Sequence, residues 1–157
     1  VPEKVIPSPQ GPEAQSVDPS FDVITSAVKV PETLSHLHYW NVQLTRKTDK
    51  EEVLDAFNKS TRIAMIEYSD ELAANNTVKE LMLAIGRPYG DMYEVALWQD
   101  MLKVVGDEVF YAYLVDNQAI VIPETIDAIR ALTGIEPDAE KSILKTNESL
   151  GVKQSFY

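Results

Sequence analysis

The stretch MYEVALWQDMLKVVGDEVFYAYLV, Met92–Val115, decides the fold. It holds two extended segments, Met92–Val105 and Glu108–Val115, dense in β-branched and aromatic residues, with Gly106-Asp107 between them as the turn of an antiparallel hairpin. On its amino-terminal side, Val78, Leu81, Met82 and Ile85 recur at helical spacing behind Asn76 as a cap, and Gly86 before Arg87-Pro88 ends that helix. Farther out, RIAMIEY at Arg62–Tyr68, LHYWNVQLT at Leu37–Thr45 and FDVITSAVKV at Phe21–Val30 read as strands. Between them EEVLDAFNKS forms a short amphipathic helix behind a Thr48/Glu51 capping box. On the carboxy-terminal side a loop at Asn117–Ile122 leads to Pro123, tolerated in a first helical turn, and to a helix carrying Ile126, Ile129 and Leu132 that ends at Gly134. A last helix lies within residues 136–151, DAEKSILKTNESLG, and stops at Gly151. Residues 1–20 hold Pro2, Pro7, Pro9, Pro12 and Pro19, five of the 9 prolines, and are expected to be a loop or arm with neither helix nor central strand.

Strands linked by antiparallel turns, with helices spaced among them, predict an α+β fold: a mixed, largely antiparallel sheet with helices on one face, in a single domain of 157 residues. Strict alternation of strand and helix is missing, as is any G-x-G-x-x-G or G-x-x-x-x-G-K sequence, so no nucleotide-binding fold is expected within this chain. A formal charge of −11 argues against nucleic acid and anionic membranes as partners, because phosphate contact needs clustered Lys and Arg. With no long apolar run and no signal-peptide pattern, the chain reads as cytoplasmic. It contains 0 cysteines, hence no disulfide framework, no thiolate zinc site and no cysteine nucleophile of its own. It opens at Val1, which suggests that sequence once preceded it.

The blocks VPETLSHLH, RIAMIEY, GRPYGDMYEVALWQD, VIPETIDAIRA and KTNESLG occur in that order from about Lys4 to Val152. This succession resembles the second half, the catalytic domain, of archaeal-type glyceraldehyde-3-phosphate dehydrogenases, where the stretches read roughly VPTTLMHxH, TRVxLxE, GRxxNDLYEIxVWxES, VIPENIDAIRA and KTNKSLG. The resemblance implies a cytoplasmic homotetrameric oxidoreductase of glycolysis and gluconeogenesis. Such an enzyme turns a small phosphorylated aldehyde and inorganic phosphate into an acyl phosphate, through a cysteine thioester and hydride transfer to NADP or NAD. The cysteine and the amino-terminal dinucleotide-binding domain are not in this sequence, so the chain alone is expected to be inactive. Two other readings fit the same residues: a non-catalytic self-association module, and a related aldehyde or semialdehyde dehydrogenase.

His36 and His38 are the only histidines, two apart on a strand and so on one face of it. By themselves they favour a structural role, and two histidines with no third ligand do not make a metal site. The resemblance assigns the first histidine of H-x-H, here His36, as the acid–base residue, with an imidazole suited to proton transfer near neutral pH. It likewise places Gln10 and Gly11 at substrate, although the family's S-H-H-G-P is here Ser8-Pro9-Gln10-Gly11-Pro12, neutral where the histidines stood. Asn117 takes the place of a family glutamine that touches the nicotinamide end of the cofactor; its plainer role is a turn residue after a strand. Trp40 and Trp98 are expected in the core or at interfaces.

Overall fold

The computed structural model describes Val1, residues 4–32 and residues 35–157. Its Cα trace forms two compact units, Val1–Glu32 and Thr33–Tyr157.

In the first unit, the expectation that proline excludes helix is corrected. Helix α1 spans Gln10–Val17, with Pro9 at its cap and Pro12 in its first turn. First-turn N–H groups have no intrahelical acceptor, so a proline there removes no bond, and residues 13–18 hold no other proline. The expected strand at Phe21–Val30 is absent too, apart from one isolated bridge residue at Val28. Its main chain bonds to the start of the chain instead: the Thr25 carbonyl accepts Ser8 N–H at 2.8 Å, and Lys29 N–H donates to the Val1 carbonyl at 2.8 Å.

The second unit is the expected α+β arrangement around a mixed 5-stranded sheet. Its strands are β1 (Ser35–Gln43), β2 (Ile63–Ile66), β3 (Val95–Trp98), β4 (Lys103–Val105) and β5 (Glu108–Asp116). Strand β5 is the axis. Along one side it pairs antiparallel with β1 over the full length of both, from Ser35↔Asp116 to Gln43↔Glu108. Along the other it pairs antiparallel with β3 and β4, and β2 adds parallel to β3. The stretch read as one strand from Met92 to Val105 is thus broken in two, by a short 3-10 turn at Gln99–Met101. Gly106-Asp107 closes the predicted two-residue hairpin, Gly106 at a φ of 69° that a side chain would resist.

Helices α2 (Lys50–Asn58), α3 (Asn75–Ala84), α4 (Ile122–Thr133) and α5 (Ala139–Leu150) fall where periodicity put them. Two caps differ from expectation. Asp49, not Thr48, caps α2, its carboxylate accepting Glu52 N–H at 2.8 Å, while Thr48 donates to the Glu52 side chain. Ala74 rather than Asn76 precedes α3, where the Thr77 hydroxyl donates to the Ala74 carbonyl at 2.7 Å. Alternation sends Ala112 and Leu114 of β5 to one face, where Ala96, Trp98, Ala64 and Ile66 of β3 and β2 join them. Val78 and Met82 of α3 close this core, both 0% exposed. Buried Trp98 satisfies its indole N–H on the Leu72 carbonyl at 2.7 Å.

Candidate active site

The β1–β5 ladder sets the geometry. His36 pairs with Val115, His38 with Tyr113 and Trp40 with Tyr111, all directed to the face opposite the α3 core. His36 is exposed, whereas His38 is half-buried and stacked on Tyr113, ring centroids 4.8 Å apart and 10° from parallel. Trp40 Nε1 donates to Tyr113 Oη at 3.1 Å, and Phe57 of α2 meets Tyr111 edge-on at 5.3 Å. Burial, with Tyr113 alongside, pushes the Tyr111 phenol up to about 12. Burial also raises Tyr113, against the lowering effect of the Trp40 donor. The wall is therefore uncharged at neutral pH.

The two imidazoles, 6.0 Å apart between centroids, are made unequal by this wall. Burial first, and the neighbouring His36 charge second, hold His38 below the ordinary histidine range. His38 is thus the stacked, half-buried imidazole, and His36 is the one that solvent can reach.

The same ladder brings Asn117 near. Since Ser35 opposes Asp116, the residue after β5 lies at the end of the sheet where β1 begins. Asn117 is exposed in the turn there. That turn is built by Asp116, one of whose carboxylate oxygens accepts the N–H of Gln118 and of Ala119, each at 2.9 Å. Beside it, the Ser35 hydroxyl is buried without a hydrogen-bond partner among the described residues.

Gln10 and Gly11 belong to the first unit, His36 and Asn117 to the second. Gln10 is exposed as the first residue of α1, and Gly11 is buried. A Cβ on Gly11 would meet Thr25 Oγ1 at 3.0 Å, the oxygen that accepts Gly11 N–H at 3.0 Å and Ser8 Oγ–H at 2.9 Å. Gly11 therefore has a packing reason beside any substrate role. A depression of about 340 Å³ opens between α4 and α5 and is lined by Arg62, Glu124, Asp127 and Ser142; it includes neither His36 nor Asn117. Among the described residues no His, Cys, Asp and Glu group of three or more could hold a metal ion, and no helix is long and apolar enough to cross a membrane.

Sequence reasoning did not foresee the ion pairs at the ends of the strands. Arg87 forks onto Glu94 at 2.7 and 2.6 Å, and the Lys79 ammonium meets the Asp116 carboxylate, all four residues buried. The only signal was charge inside apolar runs: Lys79 next to Val78, and Glu94 ahead of Val95.

No protein-family model matches the chain. Curated relatives do: the glyceraldehyde-3-phosphate dehydrogenase of Methanobrevibacter smithii is 39% identical over 147 residues, 94% of this chain and 44% of that protein. The enzyme of the same name from Methanopyrus kandleri is 37% identical over 150 residues, 96% of this chain and 43% of its own length. The chain is homologous to archaeal glyceraldehyde-3-phosphate dehydrogenases. A third relative, from Metallosphaera sedula, is 35% identical over 151 residues, again 96% of this chain but 44% of the relative. The chain thus spans under half the length of the curated relatives it matches, in keeping with the carboxy-terminal part of a glyceraldehyde-3-phosphate dehydrogenase.

Proposed function

We propose that this chain is the acid–base part of a phosphorylating glyceraldehyde-3-phosphate dehydrogenase whose cysteine and dinucleotide-binding domain lie outside it. The observation that carries the reading is the β1–β5 register, which gathers His36 and Asn117, far apart in sequence, at one end of one sheet. A cysteine thiolate adds to the aldehyde carbon to give a thiohemiacetal. His36 takes the hydroxyl proton as that intermediate collapses to the thioester, and inorganic phosphate then displaces the thiolate to give the acyl phosphate. NADP or NAD, when bound, accepts the hydride. This chain has no glycine-rich turn to seat the pyrophosphate, so its fit to the cofactor is limited to the Asn117 side-chain amide, a hydrogen-bonding group suited to a carboxamide. Gln10 and Gly11 bind substrate in this reading, with neutral Gln10 donating to a phosphate or hydroxyl oxygen. The complete enzyme works as a homotetramer in the cytoplasm.

Replacing His36 by Asn in the complete enzyme tests this. The chemical step should fall by ~10²–10⁴-fold, the range for a positioned general base, and the pH profile should lose its limb near neutrality. His38→Asn should cost stability more than rate, because His38 packs on Tyr113. Turnover that survives His36→Asn and disappears with His38→Asn would reverse the assignment.

A further inference from the structure

The end of the sheet where β1 begins and β5 stops is held by an ion pair that the chemistry above leaves unused. Lys79 is buried on α3, and its ammonium donates both to the Gly90 carbonyl, at 2.6 Å, and to Asp116 Oδ2. Asp116 is 2% exposed and spends its other oxygen on Gln118 and Ala119 N–H. A buried pair of this kind is a poor stabiliser, since apolar side chains of similar volume usually do as well or better. What this one does is geometric: it ties α3, the turn at Pro88–Gly90 and the turn after β5 to one point. Gly90 shows how closely they are drawn together, for a Cβ there would meet Leu83 Cγ at 3.0 Å and the Lys79 carbonyl at 3.2 Å. Asp116 immediately precedes Asn117 and is the cross-strand partner of Ser35, which immediately precedes His36. It acts from the face that α3 covers, while His36 stands on the other.

We infer that Lys79 and Asp116 are positioning residues, which fix the start of β1 and the turn after β5 so that His36 and Asn117 are presented in one geometry. This rests on the assignment of His36 and Asn117 made above. Burial alone would raise Asp116, yet the Lys79 ammonium and the two turn N–H groups outweigh it and hold the carboxyl below its ordinary value.

The test uses the complete enzyme with Lys79→Met, Asp116→Asn, His36→Asn and, as a control, Met82→Ala, which empties part of the core on the same helix. Rates are taken well below each variant's Tm. Lys79→Met and Asp116→Asn should each lower kcat at least ten-fold, with KM for the aldehyde moving less, while Met82→Ala, though less stable, keeps kcat within two-fold. A second readout does not depend on turnover. The His36 ring signals in NMR, assigned by their loss in His36→Asn, should shift in Lys79→Met and stay in place in Met82→Ala. If Lys79→Met keeps kcat within two-fold where His36→Asn is inactive, the base assignment stands and the positioning role is overturned. If His36→Asn itself turns over normally, the base assignment falls and the positioning role falls with it.

Discussion

Glu94 has no exposed surface, and its partner Arg87 keeps 8% of its side chain exposed. The guanidinium forks onto the carboxylate at 2.7 and 2.6 Å, donates to the Gly151 carbonyl at 2.8 Å and sits 5.2 Å from the Tyr93 ring centre. Glu94 Oε1 also accepts Lys153 N–H at 2.7 Å, so the pair clamps the chain leaving α5 to the strand β3. Glu94→Ala would strand a buried guanidinium, a loss of about 3–5 kcal/mol. For a chain of 157 residues, at roughly 2–4 °C per kcal/mol, Tm should drop by about 6–20 °C. Changing both partners, Arg87→Met with Glu94→Leu, leaves no unpaired charge. Its remaining cost is the two main-chain groups at Gly151 and Lys153, about 1–3 kcal/mol each, offset by the ~1–4 kcal/mol that apolar replacement of a buried pair often returns. The double variant should therefore melt above Glu94→Ala. Calorimetry and circular dichroism at neutral pH measure both, and hydrogen exchange at the Lys153 amide reports the clamp. A Glu94→Ala variant within about 1 kcal/mol of the parent, or a double variant less stable than the single, would refute the reasoning.

Ser35→Ala removes a buried hydroxyl that has no partner among the described residues, so stability should hold or rise by up to about 1 kcal/mol; a loss larger than that in urea unfolding would mean the hydroxyl is bonded. Asp127 is driven upward by burial but is held lower by the Ser142 and Thr146 hydroxyls and the Arg62 guanidinium. Because its folded value is depressed, its contribution is complete above the unfolded carboxylate value of about 3.9 and fades as pH falls through the folded one. The stability gap between parent and Asp127→Asn, read from urea midpoints, should thus be open at neutral pH and close below about pH 4; a gap that persists in acid would show the effect is not electrostatic. The purified chain, with 0 cysteines, should reduce no nicotinamide cofactor given aldehyde and phosphate, and measurable reduction would sink the thioester reading.

Much of the second unit was legible because its local signals agree. The Gly106-Asp107 hairpin, the Gly134 and Gly151 helix stops and the periodicity of Val78 and Met82 each state a backbone requirement within a few residues. The first unit was misread for the opposite reason. Proline counts treat every helical position alike, whereas Pro12 occupies the first turn, and β-branched density at Phe21–Val30 could not reveal that its main chain bonds to Ser8 and Val1 rather than to a strand. In the candidate site, the spacing of His36 and His38 gave their common face. Which of them is exposed depends on Tyr113, whose place opposite His38 is set by strand register between distant segments. The buried pairs were invisible for the same reason, as Lys79 and Asp116 meet only after α3 has packed on the sheet.

The placement of those pairs suggests what the fold asks of them. Two of the ion pairs among the described residues have both partners' side chains less than a tenth exposed, Lys79 with Asp116 and Arg87 with Glu94. A third, Arg62 with Asp127, is 13% and 17% exposed and reaches Asn147 and Thr146 of α5. None lies among the apolar residues of the sheet centre. Each has one partner at the end of a strand, Asp116 closing β5, Glu94 just before β3 and Arg62 just before β2, and the two deepest are also bonded to carbonyls or N–H groups of turns that no ladder serves. Apolar packing is tolerant of small slides, whereas a forked or three-way hydrogen bond is satisfied in one arrangement only. The core therefore supplies cohesion and the ion pairs supply register. Register is the property that the proposed base, His36 near the start of β1, would need, because displacing a proton acceptor by an ångström can cost a hundredfold in rate. Variants that weaken the core should therefore lower Tm yet keep their rate at temperatures well below it, whereas variants that cut the pair beneath Asn117, which also lose stability, should lower the rate even well below their Tm.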